Sequence, residues 1–413
     1  MKICLITGEY PPMQGGVGDY THELAKAYVE LGHQVVVLTS VQGTGEYAYE
    51  EVTPADQAIA VRPVATKWRL IGPGKALRTI RAERPDVVNI QYQAAAYGMR
   101  ASIHLLPLRL RSLKEHPKVV ITYHDLRVPY LFPKAGPLRW QAVLALARWS
   151  DGVIVTNADD EAVLAQHKFI HCLARVPIGS NIAPVPPPGY DRNAWRAKWG
   201  VQADDVLLAY FGFLNESKGG ENLIRALGQL AGQGLPVKLI MVGGQVGSSD
   251  PNNLRYAEHI QGLIEQLNLK DRVLSTGFVP EQEVSASLLA SDICVLPYRD
   301  GVSLRRGTFM AALAHGLPIV STRYPVAKSH IPNPAERWQP AELKGGSNIL
   351  LVPPDDEALL ANAISRLIAS PHLREHLGRE AQALSERFSW PQIAKQTLEL
   401  FHEIGVPEGG ANA

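Results

Sequence analysis

Cysteine is scarce in this sequence: Cys4, Cys172 and Cys294 are the only three in 413 residues. They are too few and too scattered for a disulfide framework, and no C-x-x-C or Cys/His spacing points to a metal. Cys4 and Cys294 sit in apolar runs, which reads as small buried hydrophobes rather than nucleophiles. Long apolar stretches are missing as well. No run reaches the roughly 18 residues a membrane span needs, and the opening run stops at Gly8, too short for a signal peptide. A reducing, cytoplasmic location is the expectation. An excess of one charge is also absent, since 41 Lys+Arg face 40 Asp+Glu for a net charge of +1. That balance excludes a protein built for a global electrostatic grip on nucleic acid. What remains, 46% hydrophobic and 20% charged residues over this length, describes two or three ordinary globular domains.

Short β-branched and aliphatic runs alternate with helix-length amphipathic segments, the pattern of a parallel α/β architecture. Residues 2–7 read as a buried strand and 8–18 as a Gly/Pro-rich turn. Leu24, Ala27, Tyr28 and Leu31 then recur at helical spacing until Gly32, and 35–39 form the next strand. Further strands are expected at 86–90, 118–122 and 152–155, then at 206–211, 237–242, 273–276, 293–296 and 348–352. The two sets are separated by the proline-rich run 183–190, which stiffens into an extended linker. The expected division is 1–183, a linker at 184–190, a second domain at 191–387, and a helix over 388–405. That helix is either an element docking back on the first domain or a plain capping helix.

Four places carry chemistry. Gly15-Gly16-Val17-Gly18 lies between a strand and a helix, where absent side chains let backbone N–H groups approach an anion, or where glycines simply make a tight turn. It is not a dinucleotide G-x-G-x-x-G, and the following strand ends in Thr39-Ser40 without the acidic residue that would hold a ribose. Lys218 sits where the loop 212–220 enters a helix, a position a lysine disfavours unless an anion is near or its head group is solvated. The loop 297–307 follows a strand and carries Arg305-Arg306, either a diphosphate clamp or two solvent-facing arginines. His124-Asp125 follow the strand 118–122, where a ligand-contacting histidine and a structural one are equally expected.

The order GEYPPMQGGVGDYTHELAKAYVELGHQVVVLT, NIQYQ, TYHD, VPIGSNI, FGFLNESKGGENLIRAL, GFVPEQEVSASLLASDICVLPYRDG, GLPIVST and FSW resembles the retaining GT-B glycosyltransferases of the glycosyltransferase group 1 type. The resemblance runs from residue 2 to about 400 and implies two Rossmann-like domains facing across a cleft. It implies a nucleotide-diphosphate sugar as co-substrate, a polysaccharide or glycolipid acceptor, retention of anomeric configuration, and no cofactor or obligatory metal. On that basis Gly15, Gly16, Lys218, Arg305, Arg306 and Gly307 are expected at the donor diphosphate. Gly212, Phe213, Ser303 and Thr308 are expected in the donor pocket, His124 as the catalytic histidine, and Asp19, Tyr20, Gln91 and Asp125 on the acceptor side. Gly316-Leu317-Pro318 match the turn after the donor-site helix. Three departures stand out: Phe213 occupies the place of an arginine, and Ser303 and Ala311 those of two glutamates eight residues apart. Arg305 and Arg306 are therefore expected to replace the missing positive charge. A nucleotide-sugar epimerase of the same architecture and a degenerate transferase acting as a binding partner are the alternatives.

Residues 1–180 hold 20 basic against 16 acidic residues, and the remainder 21 against 24. Within the basic half, 99–118 interleave Arg100, Arg109, Arg111, Lys114 and Lys118 with Leu and Ile. This reads either as a basic amphipathic face that lies on an anionic membrane or as an ordinary solvated helix face.

Overall fold

The computed structural model describes every residue except 14, 42–52, 66–67, 69–71, 101, 129–135, 137, 245–250, 325–339 and 408–413. The chain forms two compact units, one of Met1–Asn181 with the segment from Ser389 on, the other of Ile182–Phe388.

In the first unit β1 (Lys2–Thr7), β2 (Gln34–Ser40), β3 (Ala60–Ala65), β4 (Val87–Tyr92), β5 (Lys118–Tyr123), β6 (Gly152–Val155) and β7 (Leu173–Arg175) form one sheet. Its order is β3-β2-β1-β4-β5-β6-β7, all parallel. In the second unit β8 (Val206–Phe211), β9 (Val237–Val242), β10 (Val273–Gly277), β11 (Ile293–Leu296), β12 (Ile319–Thr322) and β13 (Leu350–Val352) form another parallel sheet, ordered β10-β9-β8-β11-β12-β13. Each unit is thus a doubly wound Rossmann-like domain whose strand order reverses once, between β1 and β4 and between β8 and β11. Ligands of open α/β sheets collect at the carboxyl ends of the strands flanking such a reversal.

The central strands are continuous apolar runs because helices cover both faces of the sheet, and Ile3 to Ile6 are fully buried. Three strands escape the sequence reading. Ala60–Ala65 carries Arg62 and Pro63 and is only half buried, as an edge strand tolerates. Leu173–Arg175 is a three-residue edge, and Ile319–Thr322 is four buried residues behind a Gly-Leu-Pro turn. The expected strand at 348–352 is shortened to Leu350–Val352.

The helix Trp390–Glu403 buries Ile393, Ala394, Leu398, Leu400 and Phe401 in the same core as Tyr20, Leu24 and Tyr28 of the helix Gly16–Glu30. Trp390 Nε1 donates to the Ser180 carbonyl at 2.7 Å. Gly152 is needed beneath this helix, since a Cβ there would come 3.2 Å from Leu400 Cδ2. Each such buried aliphatic or aromatic side chain contributes about 1.5–3 kcal/mol, so the helix is integral to the first unit. The chain after the prolines is fastened to the second unit: Tyr190 Oη donates to the Ala286 carbonyl at 3.2 Å, and Arg192 and Arg196 pair with Asp292 at 2.6 and 2.9 Å.

The basic stretch 99–118 is not one amphipathic helix. It breaks into a 3-10 turn, Ser102–Leu105, and a short helix, Leu106–Arg111, with Pro107 in its first turn. Leu105, Leu108, Arg109, Arg111 and Lys114 are nonetheless exposed together.

Candidate functional site

In the second unit the chain leaves β8 at Gly212, whose φ of 118° favours glycine. A Cβ on Gly212 would lie 2.8 Å from Thr308 Cγ2 and 2.9 Å from Lys218 Nζ, so these three positions converge. Asn215 accepts from the Lys218 amide and starts a 3-10 turn, Glu216–Lys218, which ends on Gly219 at φ 69°. Gly219 could carry no side chain there, because a Cβ would fall 1.9 Å from the Pro297 carbonyl oxygen. The loops after β8 and β11 are therefore locked together. Arg299 reinforces the lock, its amide donating to the Ser217 carbonyl at 2.8 Å while its guanidinium pairs with Glu216 and Asp355.

The loop after β11 brings in the second cation. The Arg306 guanidinium lies 4.0 Å over the Tyr298 ring and pairs with Asp300. Its buried Nε finds no acceptor among the described residues. Tyr298 and Thr308 share a hydrogen bond of 2.8 Å. Ser303 accepts the Arg306 amide at 3.2 Å, and the helix Gly307–Ala314 begins directly afterwards with no side-chain cap.

Lys218 has no carboxylate within ion-pair distance among the described residues, and its ammonium stands 6.0 Å from the Phe213 ring. Burial and the like charge of Arg306 push its pKa down to about 8. Two cations close enough to repel, one of them without a counter-charge, form a site that an anion stabilises. Arg305, by contrast, is exposed, as is Phe213. The structure thus separates the two arginines: Arg306 is half buried over the Tyr298 ring, and Arg305 is exposed. Ala311 is fully buried within its helix, where its carbonyl accepts from His315 Nδ1 at 2.7 Å. His315 Nε2 meets Ser285 Oγ at 3.0 Å, a structural histidine whose pKa burial lowers.

The glycine turn of the first unit holds an anion of its own. Glu9 Oε1 accepts from the amides of Val17 and Gly18 at 3.1 and 3.4 Å, at the start of the helix Gly16–Glu30. Gly15 makes room for it, since a Cβ there would come 2.2 Å from the Glu9 carboxylate. Burial raises the Glu9 pKa while the two amides oppose the rise. Within the glycine turn it is thus the amides of Val17 and Gly18 that a carboxylate of the chain occupies, beside Gly15 and Gly16. Gln14, in the same turn, lies outside the described residues.

His124 follows β5 and is half buried, its ring packed edge-on against Tyr20 with centroids 4.6 Å apart. Its Nε2 is 2.9 Å from Gln91 Oε1, and burial pushes its pKa down to about 3, so the ring is neutral. Gln91 and Tyr20 are both buried. Their expected contact with an acceptor is corrected: Gln91 is consumed by His124 and Asn89, and Tyr20 packs between His124 and Trp390. Asp125 accepts from Gln93 Nε2 and from the Arg127 amide, both at 3.1 Å. Asp19 is half buried in the first turn of its helix. All three cysteines are buried, with thiol pKa values raised by burial.

Sequence reasoning missed Glu9, Asn89 and Tyr298. A carboxylate six residues before a glycine pair that opens a helix was the available signal for the first. Two polar residues alternating within an otherwise apolar strand were the signal for the second. Among the described residues no cluster of His, Cys, Asp or Glu suits a metal ion, and no helix is long and apolar enough to cross a membrane.

Comparison with known proteins places two family domains on the chain: Glycosyltransferase Family 4 over residues 14–179 and Glycosyl transferases group 1 over residues 191–384. D-inositol 3-phosphate glycosyltransferase of Corynebacterium jeikeium is 27% identical over 260 residues, 61% of this chain and 57% of that relative. The chain thus spans little more than half the length of that curated relative. Among solved structures, sucrose-phosphate synthase of Thermosynechococcus elongatus aligns with a TM-score of 0.70 at 22% identity, covering 98% of this chain and 99% of that one. HepE of Anabaena, crystallised with UDP, aligns with a TM-score of 0.71 at 20% identity, covering 98% and 100%.

Proposed function

Because this chain belongs to the GT-B glycosyltransferases that join a family 4 domain to a group 1 domain, we propose that it transfers a sugar from a nucleotide-diphosphate sugar to a carbohydrate or lipid-linked acceptor. Retention of anomeric configuration and independence of a metal belong to the same reading. The observation that carries it is Lys218, a cation without a carboxylate partner among the described residues, which feels the like charge of Arg306 where the strand order reverses between β8 and β11. The crystallisation of HepE with UDP and with UDP-glucose supports the choice of ligand class.

In the proposed reaction the acceptor oxygen forms a bond to the anomeric carbon as the bond from that carbon to the diphosphate oxygen breaks. The acceptor proton passes to the departing diphosphate, so no strong protein base is required. Negative charge grows on the leaving group, and Lys218 and Arg306 are preorganised to meet it, stabilising the transition state more than the ground state. Gly212 and Gly307 let phosphate oxygens approach backbone, and Thr308, oriented by Tyr298, offers a hydroxyl. His124, neutral and set beside Tyr20, is assigned to the reacting sugar. In this reading the enzyme works in the cytoplasm. The exposed Leu105 and Leu108 beside Arg109, Arg111 and Lys114 would rest on an anionic membrane bearing a lipid-linked acceptor.

Release of nucleoside diphosphate from UDP-, GDP- and ADP-sugars, with the anomer of the product read by NMR, tests the proposal. Acceptor-dependent release with a retained anomer is expected. Conversion of the donor sugar without an acceptor would replace transfer with epimerisation. Co-sedimentation with anionic vesicles at low salt tests the membrane contact, which absence of binding would remove.

A further inference from the structure

A buried chain of hydrogen bonds runs through the first sheet to His124. Asn89 and Gln91 lie two apart on β4, so they share a face, and both are fully buried. Asn89 Nδ2 is 2.9 Å from Thr122 Oγ1 and 3.5 Å from the Val120 carbonyl oxygen. Gln91 Nε2 donates to Asn89 Oδ1. Gln91 Oε1 faces His124 Nε2 at 2.9 Å.

The orientations of the two amides set the direction of each bond toward the ring. The Asn89 amide nitrogen is turned toward Thr122 and the Val120 carbonyl, which only accepts, and the Asn89 oxygen is turned toward Gln91. That oxygen in turn takes the Gln91 amide nitrogen, which leaves the Gln91 oxygen for the ring. An oxygen can only accept there, so His124 must carry its proton on Nε2. The ring's other nitrogen has no partner among the described residues.

We propose that Asn89 and Gln91 are positioning residues that hold His124 as the neutral Nε2–H tautomer, leaving Nδ1 to accept a hydrogen bond from a hydroxyl of the bound ligand. A buried amide pair does this better than a carboxylate would, because it fixes the tautomer without drawing a second proton onto the ring. It also explains two polar residues within a fully buried parallel strand, where an unsatisfied amide would be costly and apolar residues would pack as well. No titratable group contributes to the depressed basicity of His124 beyond burial itself. The nearest ring is that of Tyr20, from the helix Gly16–Glu30, and Asp125 next along the chain is engaged by Gln93 and Arg127. Only the identity of the hydroxyl rests on the sugar-transfer reading; the tautomer stands apart from it.

The test is nitrogen NMR of the full chain labelled in its histidines, with His124 assigned by the signals that vanish in His124→Gln. A pyridine-type Nδ1 and a pyrrole-type Nε2, unchanged from about pH 6 to about pH 8, are expected. A pyrrole-type Nδ1, or an imidazolium that titrates in that range, would overturn the proposal. In Gln91→Leu, with near-UV circular dichroism as the check on folding, the two signals should move toward an averaged tautomer mixture. Retention of the wild-type pattern there would overturn the role of Gln91. Absence of nucleotide-sugar turnover in the wild type would contradict the transfer reading and leave the nitrogen signals where they are, so the two failures are distinct.

Discussion

The two units repeat one strand order, yet the places where that order reverses are opposite in charge. At the reversal between β1 and β4 the chain fills its own crevice. Glu9 supplies the anion for the helix Gly16–Glu30, Gly8 packs so closely that a Cβ would lie 2.2 Å from the Ala96 carbonyl oxygen, and His124 is neutral. At the reversal between β8 and β11 two cations stand together, one of them without a carboxylate partner among the described residues. The topology supplies a crevice in both cases. Side chains decide what occupies it: a carboxylate of the chain at the first reversal, and at the second two cations that, in the proposed function, an anion would join.

Substitutions that put bulk or remove charge at the second reversal should break this contrast most. Gly212→Ala places a methyl group against Thr308 and Lys218 at a φ suited to glycine. It should abolish nucleotide-sugar binding by calorimetric titration and lower stability by about 1–3 kcal/mol. Arg306→Ala should weaken binding by about tenfold or more, as loss of a charge-assisted contact implies. Arg305→Ala, which removes an exposed side chain, should change it by less than about threefold. Equal effects from the two arginines would erase the distinction drawn between them.

A pH series sharpens the comparison further. The Lys218 ammonium titrates near pH 8 in the free protein, whereas an unperturbed lysine titrates at 10.5. Above about pH 8 anion affinity should fall, approaching about tenfold per pH unit, because binding must first restore the proton. Folding stability responds with the opposite sign. Between the folded and unfolded pKa values the unfolded chain binds the extra proton, so this group's contribution to stability rises with pH across that window. Lys218→Met should flatten both dependences.

The smallest effects belong to the first reversal. Glu9→Gln keeps an oxygen for the amides of Val17 and Gly18 and removes a buried charge, so thermal unfolding should shift little. Glu9→Ala removes the acceptor and should cost about 0.5–2 kcal/mol, the usual loss for a helix N-terminal acceptor.

Much of the fold was legible because buried parallel strands are largely apolar runs, and β8, β9 and β11 coincide with their expected limits. Edge strands escaped because they need not be apolar; Arg62 and Pro63 disguise one of them. At the candidate site the sequence showed Lys218 and Arg306 but not what separates Arg306 from Arg305, which is the Tyr298 ring and Asp300 beneath one guanidinium. Nor did it show that Glu9 returns to the glycine turn, or that Gly219 locks against Pro297. Those are contacts between residues apart in sequence, and local patterns carry no trace of them. Gln91 misled for the same reason: a polar residue at a strand's carboxyl end reads as a ligand contact until its partner Asn89 is seen.

The central claim is that Lys218 awaits a diphosphate. Titration of the wild type and of Lys218→Ala with UDP-, GDP- and ADP-sugars near pH 7 tests it most directly. At least one donor should bind the wild type and bind the variant about tenfold to hundredfold more weakly, with thermal stability not lowered, since the buried ammonium disfavours folding at this pH. Equal affinity in the two proteins, or no binding of any donor to the wild type, would contradict it.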